Sequence, residues 1–341
     1  MKIIKKTAAV YKLVKWYTKG DKNKEKLYTG IIKKNLYIEN PSPSRPKIKI
    51  KCYYPSSKPL GAYILTPGLH PLGTDHPKME DFSLMLCSLG YIVYSPHIQD
   101  YANLYIVKET LADYFAVFDA LLDEPLLPAH NKGINIFSIS FGCLLALRLA
   151  SNKKRADKVS SVIIFGGFGS WRSTCDTVMD NIFTPKRPPA DIRTVPVIYS
   201  HIIDSIPELE STESRNKIRK LWLSYTKKTW MDETYEDREN CLNLAHNMAK
   251  KLSGQEKITF LQGLGAQKDS YALYKKTIKN FSKEYLNPIH RAQEIKAAVY
   301  LIHGKEDELI PSEQQTIIKK ALPPRVIRRS FLTNLYGHSD K

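Results

Sequence analysis

The stretch Gly133–Ser151 reads G-I-N-I-F-S-I-S-F-G-C-L-L-A-L-R-L-A-S and decides the fold. Its first part, Ile134–Phe137, is short and rich in β-branched and aromatic residues, which is typical of a buried strand. Its second part, Phe141–Ala150, is a good helix-forming sequence. The stretch therefore predicts a strand that turns directly into a helix.

Ser140 lies at the centre of this turn. Such a turn strains the middle residue, pushes its side chain out from the edge of the sheet and needs small residues two positions before and after it. Ser138 and Gly142 meet that need. The start of the helix also offers N–H groups and a dipole that favour negative charge. Ser140 is therefore predicted to be an exposed nucleophilic hydroxyl.

A small-x-Ser-x-Gly pattern between a strand and a helix resembles the nucleophile elbow of the α/β-hydrolase fold. Here Ser138 stands where that family more often has glycine. The resemblance implies an α/β protein with a mostly parallel central sheet, helices on both faces and an inserted helical cap. It also implies a catalytic triad whose members follow the chain order serine, acid, histidine.

The acid of this triad is predicted in the segment V-Y-L-I-H-G-K-E-D-E-L-I-P, residues 299–311. A buried strand runs there into an acidic loop, and the segment resembles the H-G-x-x-D-x-x-x-P pattern that supplies the acid in the family. Asp307 occupies the acid position, with Glu306 and Glu308 as solvated neighbours. Some relatives carry the acid after the sixth strand instead, which leaves Asp176 or Asp180 as alternatives.

The base is predicted in L-Y-G-H-S, residues 335–339, which resembles the Gly-His-Ser/Thr segment of the family and follows the last predicted strand. Ser140, Asp307 and His338 then stand in the order that the fold imposes. The resemblance assigns proton transfer to His338 and orientation of its imidazole to Asp307.

Two backbone N–H groups are needed to hold the oxyanion that forms when the serine attacks a carbonyl. The resemblance puts one at Phe141, directly after the nucleophile. The other falls at Leu69 in the segment T-P-G-L, residues 66–69, where Pro67 replaces a histidine that many relatives have. Since the donor is a backbone group, this change need not abolish function.

Strands and helices alternate on both sides of a long helical stretch, and this alternation predicts the domain organisation. The predicted parts are a basic N-terminal segment (1–30), the first part of an α/β-hydrolase core (31–168), a helical cap insertion (169–290) and the second part of the core (291–341).

Composition and charge narrow the function. The chain has 341 residues, 43% of them hydrophobic, and five cysteines without a C-x-x-C pair, which favours reduced thiols in a cytoplasmic protein. Of its formal charge of +18, residues 1–60 carry +13, with sixteen basic residues against three acids. No basic and aromatic cluster surrounds Ser140, so a nucleic-acid partner is not expected.

The N-terminal segment Met1–Gly20 carries Ile4, Ala8, Tyr11 and Val14 at helical spacing, with lysines between them. Lysines also interrupt its apolar region, so it does not read as a signal peptide. Three interpretations stay open: a basic helix in peripheral contact with an anionic membrane, which would place the protein at the inner membrane surface, a helix packed on the body, or a frayed tail.

The predicted function is hydrolysis of a carboxylic ester, small or lipid-like, through an acyl-enzyme and without a cofactor. An acyltransferase or an amidase/peptidase would use the same triad. An alternative of another class is a catalytically weak hydrolase-like protein that binds anionic membrane surfaces. No metal is expected, because the spacing of His70, Asp75 and His76 is not a zinc pattern, and no Gly-rich phosphate loop is present.

Overall fold

Eight strands make one sheet within residues 28–127, 133–184 and 190–334, the part of the chain that the computed structural model describes. Their order across the sheet is β1-β2-β4-β3-β5-β6-β7-β8. The bounds are β1 Ile32–Ile38, β2 Ile48–Tyr54, β3 Gly61–Thr66, β4 Tyr91–Pro96, β5 Ile134–Ile139, β6 Val159–Phe165, β7 Ala298–Gly304 and β8 Ile327–Thr333.

The pairing directions place the carboxyl ends of seven strands, all except β2, at one edge of the sheet. β2 pairs antiparallel with β1 and β4, whereas every pair from β4 through β3, β5, β6 and β7 to β8 is parallel. The predicted nucleophile follows β5, the predicted acid follows β7, and β8 ends five residues before the predicted base. The topology therefore directs all three chain segments to the same edge.

Helices flank the sheet on both faces. Their bounds are α1 Pro77–Ser88, α2 Gln99–Ala102, α3 Glu109–Leu122, α4 Gly142–Ala150, α5 Trp171–Phe183, α6 Val195–Ile202, α7 Thr212–Trp230, α8 Arg238–Ala249, α9 Gly254–Gln262, α10 Ser270–Ile278 and α11 Glu313–Ala321. Within the described ranges, none of these helices is long and apolar enough to cross a bilayer.

Two hydrophobic cores lie on opposite faces of the sheet. The larger one joins one face to α3 and α4 and continues into the helices between β6 and β7. The smaller one packs α1 on β2, β3 and β4 from the other face, through Met79, Met85 and Val93 among others. Helix α4 is apolar on nearly every side, and accordingly all of its residues except Arg148 are buried.

Six helices, α5 to α10, connect the neighbouring strands β6 and β7. They pack on one another: the Trp222 indole N–H donates to the carbonyl of Phe260 at 2.9 Å. A Cβ on Gly263 would lie 2.1 Å from the Trp222 ring, so a glycine is required there. The helical stretch predicted after the sixth strand is present, and its role as a separate cap stays a prediction.

All five cysteines lie in the described ranges, buried and without disulfides. Burial raises the pKa of the Cys52 thiol to about 11 and those of Cys87 and Cys143 to about 12. These thiols are therefore uncharged near neutral pH.

Candidate active site

Ser140 has the backbone conformation that a nucleophile elbow requires. Its φ angle is +52°, in the left-handed region that non-glycine residues rarely adopt. It follows β5 directly, and α4 begins two residues later at Gly142. Its N–H donates to the carbonyl of Phe165 at the end of β6, at 2.8 Å. Ser140 is thus fixed at the carboxyl edge of the sheet by the neighbouring strand. The residue is only 7% exposed, so the prediction of an exposed hydroxyl is wrong.

Gly142 allows the turn to press against the end of β3. A Cβ there would lie 2.7 Å from the carbonyl oxygens of both Thr66 and Pro67, a distance that real Cβ atoms essentially never show. A Cβ on Gly68 would lie 3.2 Å from the Cβ of Ser140. The requirement for a small residue at 142 is confirmed, and the close contact is with the end of the neighbouring strand β3.

Ser138 occupies the other small position without strain. It is fully buried, and its hydroxyl donates to the carbonyl of Ile163 on β6 at 3.1 Å. A serine in place of glycine therefore adds a hydrogen bond between β5 and β6. With its hydroxyl engaged inside the sheet, Ser138 is not a competing nucleophile.

The two predicted oxyanion donors flank Ser140. Phe141 follows it in the chain, and Leu69 follows Gly68, whose backbone lies against the serine. Within the described residues, neither the N–H of Phe141 nor that of Leu69 has a hydrogen-bond acceptor. The carbonyl of Phe141 accepts from the buried Tyr101 hydroxyl at 2.9 Å, which orients the turn. Two unpaired donors beside one serine can bind a developing oxyanion.

Asp307 lies in the loop after β7, and its side chain is fully buried. Its Oδ1 accepts from the N–H groups of Leu309 at 3.1 Å and Ile310 at 2.7 Å. Glu306 and Glu308 on either side are exposed. The three neighbouring acids therefore differ as predicted, because Asp307 alone is held inward in a fixed orientation.

His303 is a residue whose part in this loop the sequence reasoning missed. It is buried at the end of β7, and its Nε2 lies 2.7 Å from the carbonyl of Ile310 and 3.6 Å from Oδ2 of Asp307. With Nε2 protonated, the imidazole closes the loop that holds the carboxylate. The signal was available in the pattern H-G-x-x-D, which puts the histidine four residues before the acid.

The alternative acids make contacts within the helical insertion. Asp176 and Asp180 are on α5, where Asp176 accepts from the Tyr274 hydroxyl at 3.0 Å and Asp180 pairs with Lys275 at 3.2 Å. Both thus bind side chains of α10. The predicted base, His338, lies outside the described residues, as does the segment Met1–Gly20.

The loop after β3 contacts the helical insertion through His70. Its ring stacks on Trp230 at the end of α7, with centroids 6.2 Å apart and an angle of 19° between the planes. Burial, aided by the adjacent His76, lowers the pKa of His70 to about 4, so it is neutral at pH 7. Within the described ranges no three His, Cys, Asp or Glu side chains form a group that could hold a metal.

The order of the strands is that of the α/β-hydrolase fold. The strained serine lies between a strand and a helix, beside two open N–H donors, as in the nucleophile elbow of this fold. The predicted fold is confirmed. No family model and no curated protein matches the sequence. Among solved structures, the acylaminoacyl peptidase of Pyrococcus horikoshii is similar, with a TM-score of 0.50, 14% identity and coverage of 94% of this chain.

This chain spans about 40% of that peptidase's length. An esterase of Pyrococcus furiosus is also similar, with a TM-score of 0.46 and 14% identity over 94% of this chain and 87% of the esterase. At these identities the comparison shows the fold. The reaction has to be argued from the site.

Proposed function

We propose that this protein is a serine hydrolase that cleaves a carboxylic ester through an acyl-enzyme, with Ser140, Asp307 and His338 as its triad. The observation that carries the proposal is the conformation of Ser140. A left-handed serine costs free energy that folding does not require, and it stands beside the open N–H groups of Phe141 and Leu69. That combination suits a nucleophile whose attack on a carbonyl generates an oxyanion.

The positions of the strands support the triad. Ser140 and Asp307 follow β5 and β7, which are separated only by β6, so their strands are about 10 Å apart. β8 is one strand further and ends at Thr333. The five residues from Thr333 to His338 can span at most about 17 Å, whereas β8 lies about 14 Å from β5. His338 is therefore within reach of both partners.

In the proposed reaction His338 accepts the Ser140 proton as Oγ attacks the ester carbonyl. The N–H groups of Leu69 and Phe141 bind the tetrahedral oxyanion. Collapse of this intermediate breaks the ester C–O bond, and His338 protonates the leaving alkoxide. Water then attacks the acyl-enzyme by the same route in reverse and releases the acid. Asp307 holds the imidazole tautomer and stabilises the imidazolium.

We further propose that helices α5 to α10 act as the cap that selects the substrate. The stacking of His70 on Trp230 supports this, because His70 adjoins Leu69 in sequence. A substrate that contacts the insertion would therefore lie close to the oxyanion donor at Leu69. A lipid-like ester is one candidate substrate.

The proposal is tested with a fluorophosphonate probe, which labels only activated serines quickly. Intact mass and peptide mapping should place one rapid label on Ser140, and Ser140→Ala should abolish both labelling and turnover of a short-chain ester. Rapid labelling of any other serine, or an active Ser140→Ala protein, would refute the assignment.

Matched variants test the other members. Asp307→Asn should reduce kcat by up to about 10⁴-fold, while its exposed neighbour Glu306→Gln should be nearly neutral. His338→Ala should be as damaging as loss of the serine, while His246→Ala, on the exposed side of α8, should not. Equal effects within either pair would contradict the triad.

Product analysis distinguishes hydrolysis from the alternatives that share the triad. With an added alcohol or amine, a hydrolase releases mainly the free acid, whereas an acyltransferase forms the new ester or amide. Comparing an ester with the amide of the same acyl group separates an esterase from an amidase or peptidase. Preferential transfer or amide cleavage would replace the ester hydrolase proposal while keeping the triad.

A further inference from the structure

One face of the sheet is covered by α1 at one side and less completely covered from β5 to β8. Cross-strand neighbours form two rows there: Phe137, Ile163, Tyr300 and Arg329 in one, and Ile139, Phe165, Ile302 and Phe331 in the other. We call these eight residues the β5–β8 face. Ser330, whose hydroxyl donates to Gln315 of α11 at 3.1 Å, points to the opposite side, so α11 covers the other face.

Part of the β5–β8 face is packed by neither of the two cores. On the opposite face of the same strands, Val162, Ile164, Val299 and Leu301 are at most 2% exposed. Ile163, Tyr300 and Ile302, by contrast, are only partly buried and pack against neither of the two cores formed by the described residues. Phe331 is 53% exposed. The described chain thus leaves a largely apolar surface on these strands.

Helix α1 covers the adjoining part of this same face. It packs on β2 and β4, and its Phe82 ring lies 4.8 Å from that of Phe137, at the border of the β5–β8 face. The smaller core extends to Phe137 and Ile139 and includes neither Ile163 nor Tyr300. A second element beside α1 would complete the layer.

The first described residue, Tyr28, lies at this place. Tyr28 packs on the smaller core, and its hydroxyl donates to the Asp81 carboxylate of α1. A helix of 20 residues is about 30 Å long, whereas β5 and β8 lie about 14 Å apart. The preceding segment therefore starts on the correct face and is long enough to cross it.

The segment also has the required pattern. Ile4, Tyr11 and Val14 fall on one side of a helix, while Lys5 and Lys12 fall on the other. We propose that residues 1–20 form a helix whose apolar side packs across the β5–β8 face, alongside α1. Most of its lysines, among them Lys2, Lys5, Lys6 and Lys12, then face solvent. The charge of the segment serves solubility, and the helix completes the fold.

Photo-crosslinking of the full chain tests the position of the helix. We would place p-benzoylphenylalanine at Phe331 or Tyr300, with Ile258 on α9, which is 41% exposed, as the control position. Irradiation in detergent-free buffer should link positions 300 and 331, and not 258, to peptides within residues 1–20. Links that join two copies of the chain, or no link to residues 1–20, would overturn the proposal.

Stability provides the second test, at positions away from the proposed triad. Val14→Asp puts a charge on the apolar side of the segment and should lower Tm by several degrees, roughly 5–10 °C, with increased binding of a hydrophobic dye. Lys12→Asp, which adds the same acid on the polar side, should change Tm by less than about 2 °C. Equal Tm for Val14→Asp and wild type, with salt-sensitive binding to anionic liposomes, would show a membrane anchor instead.

Discussion

Replacing Gly142 by alanine should misplace the oxyanion donor that we propose at Leu69. The new Cβ would lie 2.7 Å from the carbonyl oxygens of Thr66 and Pro67, where ordinary contacts begin at 3.4 Å, a shortfall of roughly 0.7 Å. Both obstacles are backbone atoms, so β3 and the loop after it must move. Catalytic groups tolerate displacements of only about 0.5 Å, so the shift is large enough to matter.

We expect two separable effects of Gly142→Ala. Overpacking should reduce the free energy of unfolding by about 1–3 kcal/mol. Misplacement of the Leu69 N–H should lower kcat by up to about 10²–10³-fold, the loss seen when one oxyanion donor is removed. The assay is hydrolysis of a short-chain ester at 25 °C, with urea unfolding of the same preparations.

Gly133→Ala is the matched control. A Cβ there would lie 2.1 Å from the carbonyl oxygen of Lys158, at the opposite end of β5 from Ser140. It should cost at least as much stability while the folded fraction keeps its kcat. If Gly142→Ala kept full activity, or if both variants lost kcat equally, the loop after β3 would not position an oxyanion donor.

Three further outcomes follow. Ser140→Gly should be inactive yet about 1 kcal/mol more stable than Ser140→Ala, because glycine adopts φ +52° without strain; equal unfolding midpoints would contradict the strain. Tyr101→Phe should cost about 1 kcal/mol by removing one of the two donors to the carbonyl of Phe141, which keeps the N–H of Leu144 at 3.1 Å, and an unchanged unfolding midpoint would refute this. Burial lowers the pKa of His201 to about 4 from 6.5, so the unfolded chain binds more protons between these values and stability falls by about 3 kcal/mol as pH drops from 6.5 to 4. The non-titrating His201→Gln should flatten that pH dependence in urea unfolding, and an unchanged slope would assign it to other groups.

The sequence predicts well what is decided locally. The elbow was predicted from nineteen consecutive residues, and the positive φ of Ser140 confirms it. The strand that begins at Ile134 runs to Ile139, two residues beyond its predicted end at Phe137, because pairing with β3 and β6 extends it. The burial of Asp307 and the exposure of its neighbours also follow from local turn geometry, which a short motif encodes.

What the sequence could not predict depends on contacts between distant segments. The collision at Gly142 is with β3, more than seventy residues earlier, and no spacing reveals it. Tyr101 supports Phe141 from forty residues away. The histidines of the loop after β3 lie close together in the sequence, which raises the question of a metal site. In the structure His70 stacks instead on Trp230, 160 residues later in the chain. Such contacts arise from the order of the strands, which composition does not encode.

The buried cysteines have a practical consequence for chemical proteomics. All five thiols are enclosed in the protein and protonated at neutral pH, and the Sγ of Cys143 accepts from the N–H of Phe168 at 3.2 Å. Electrophiles that react with both serines and cysteines therefore meet few competing thiols in the folded chain. If Ser140 is the nucleophile proposed above, such reagents become selective for it. A single cysteine introduced on the surface would give one addressable dye position without removal of the native five.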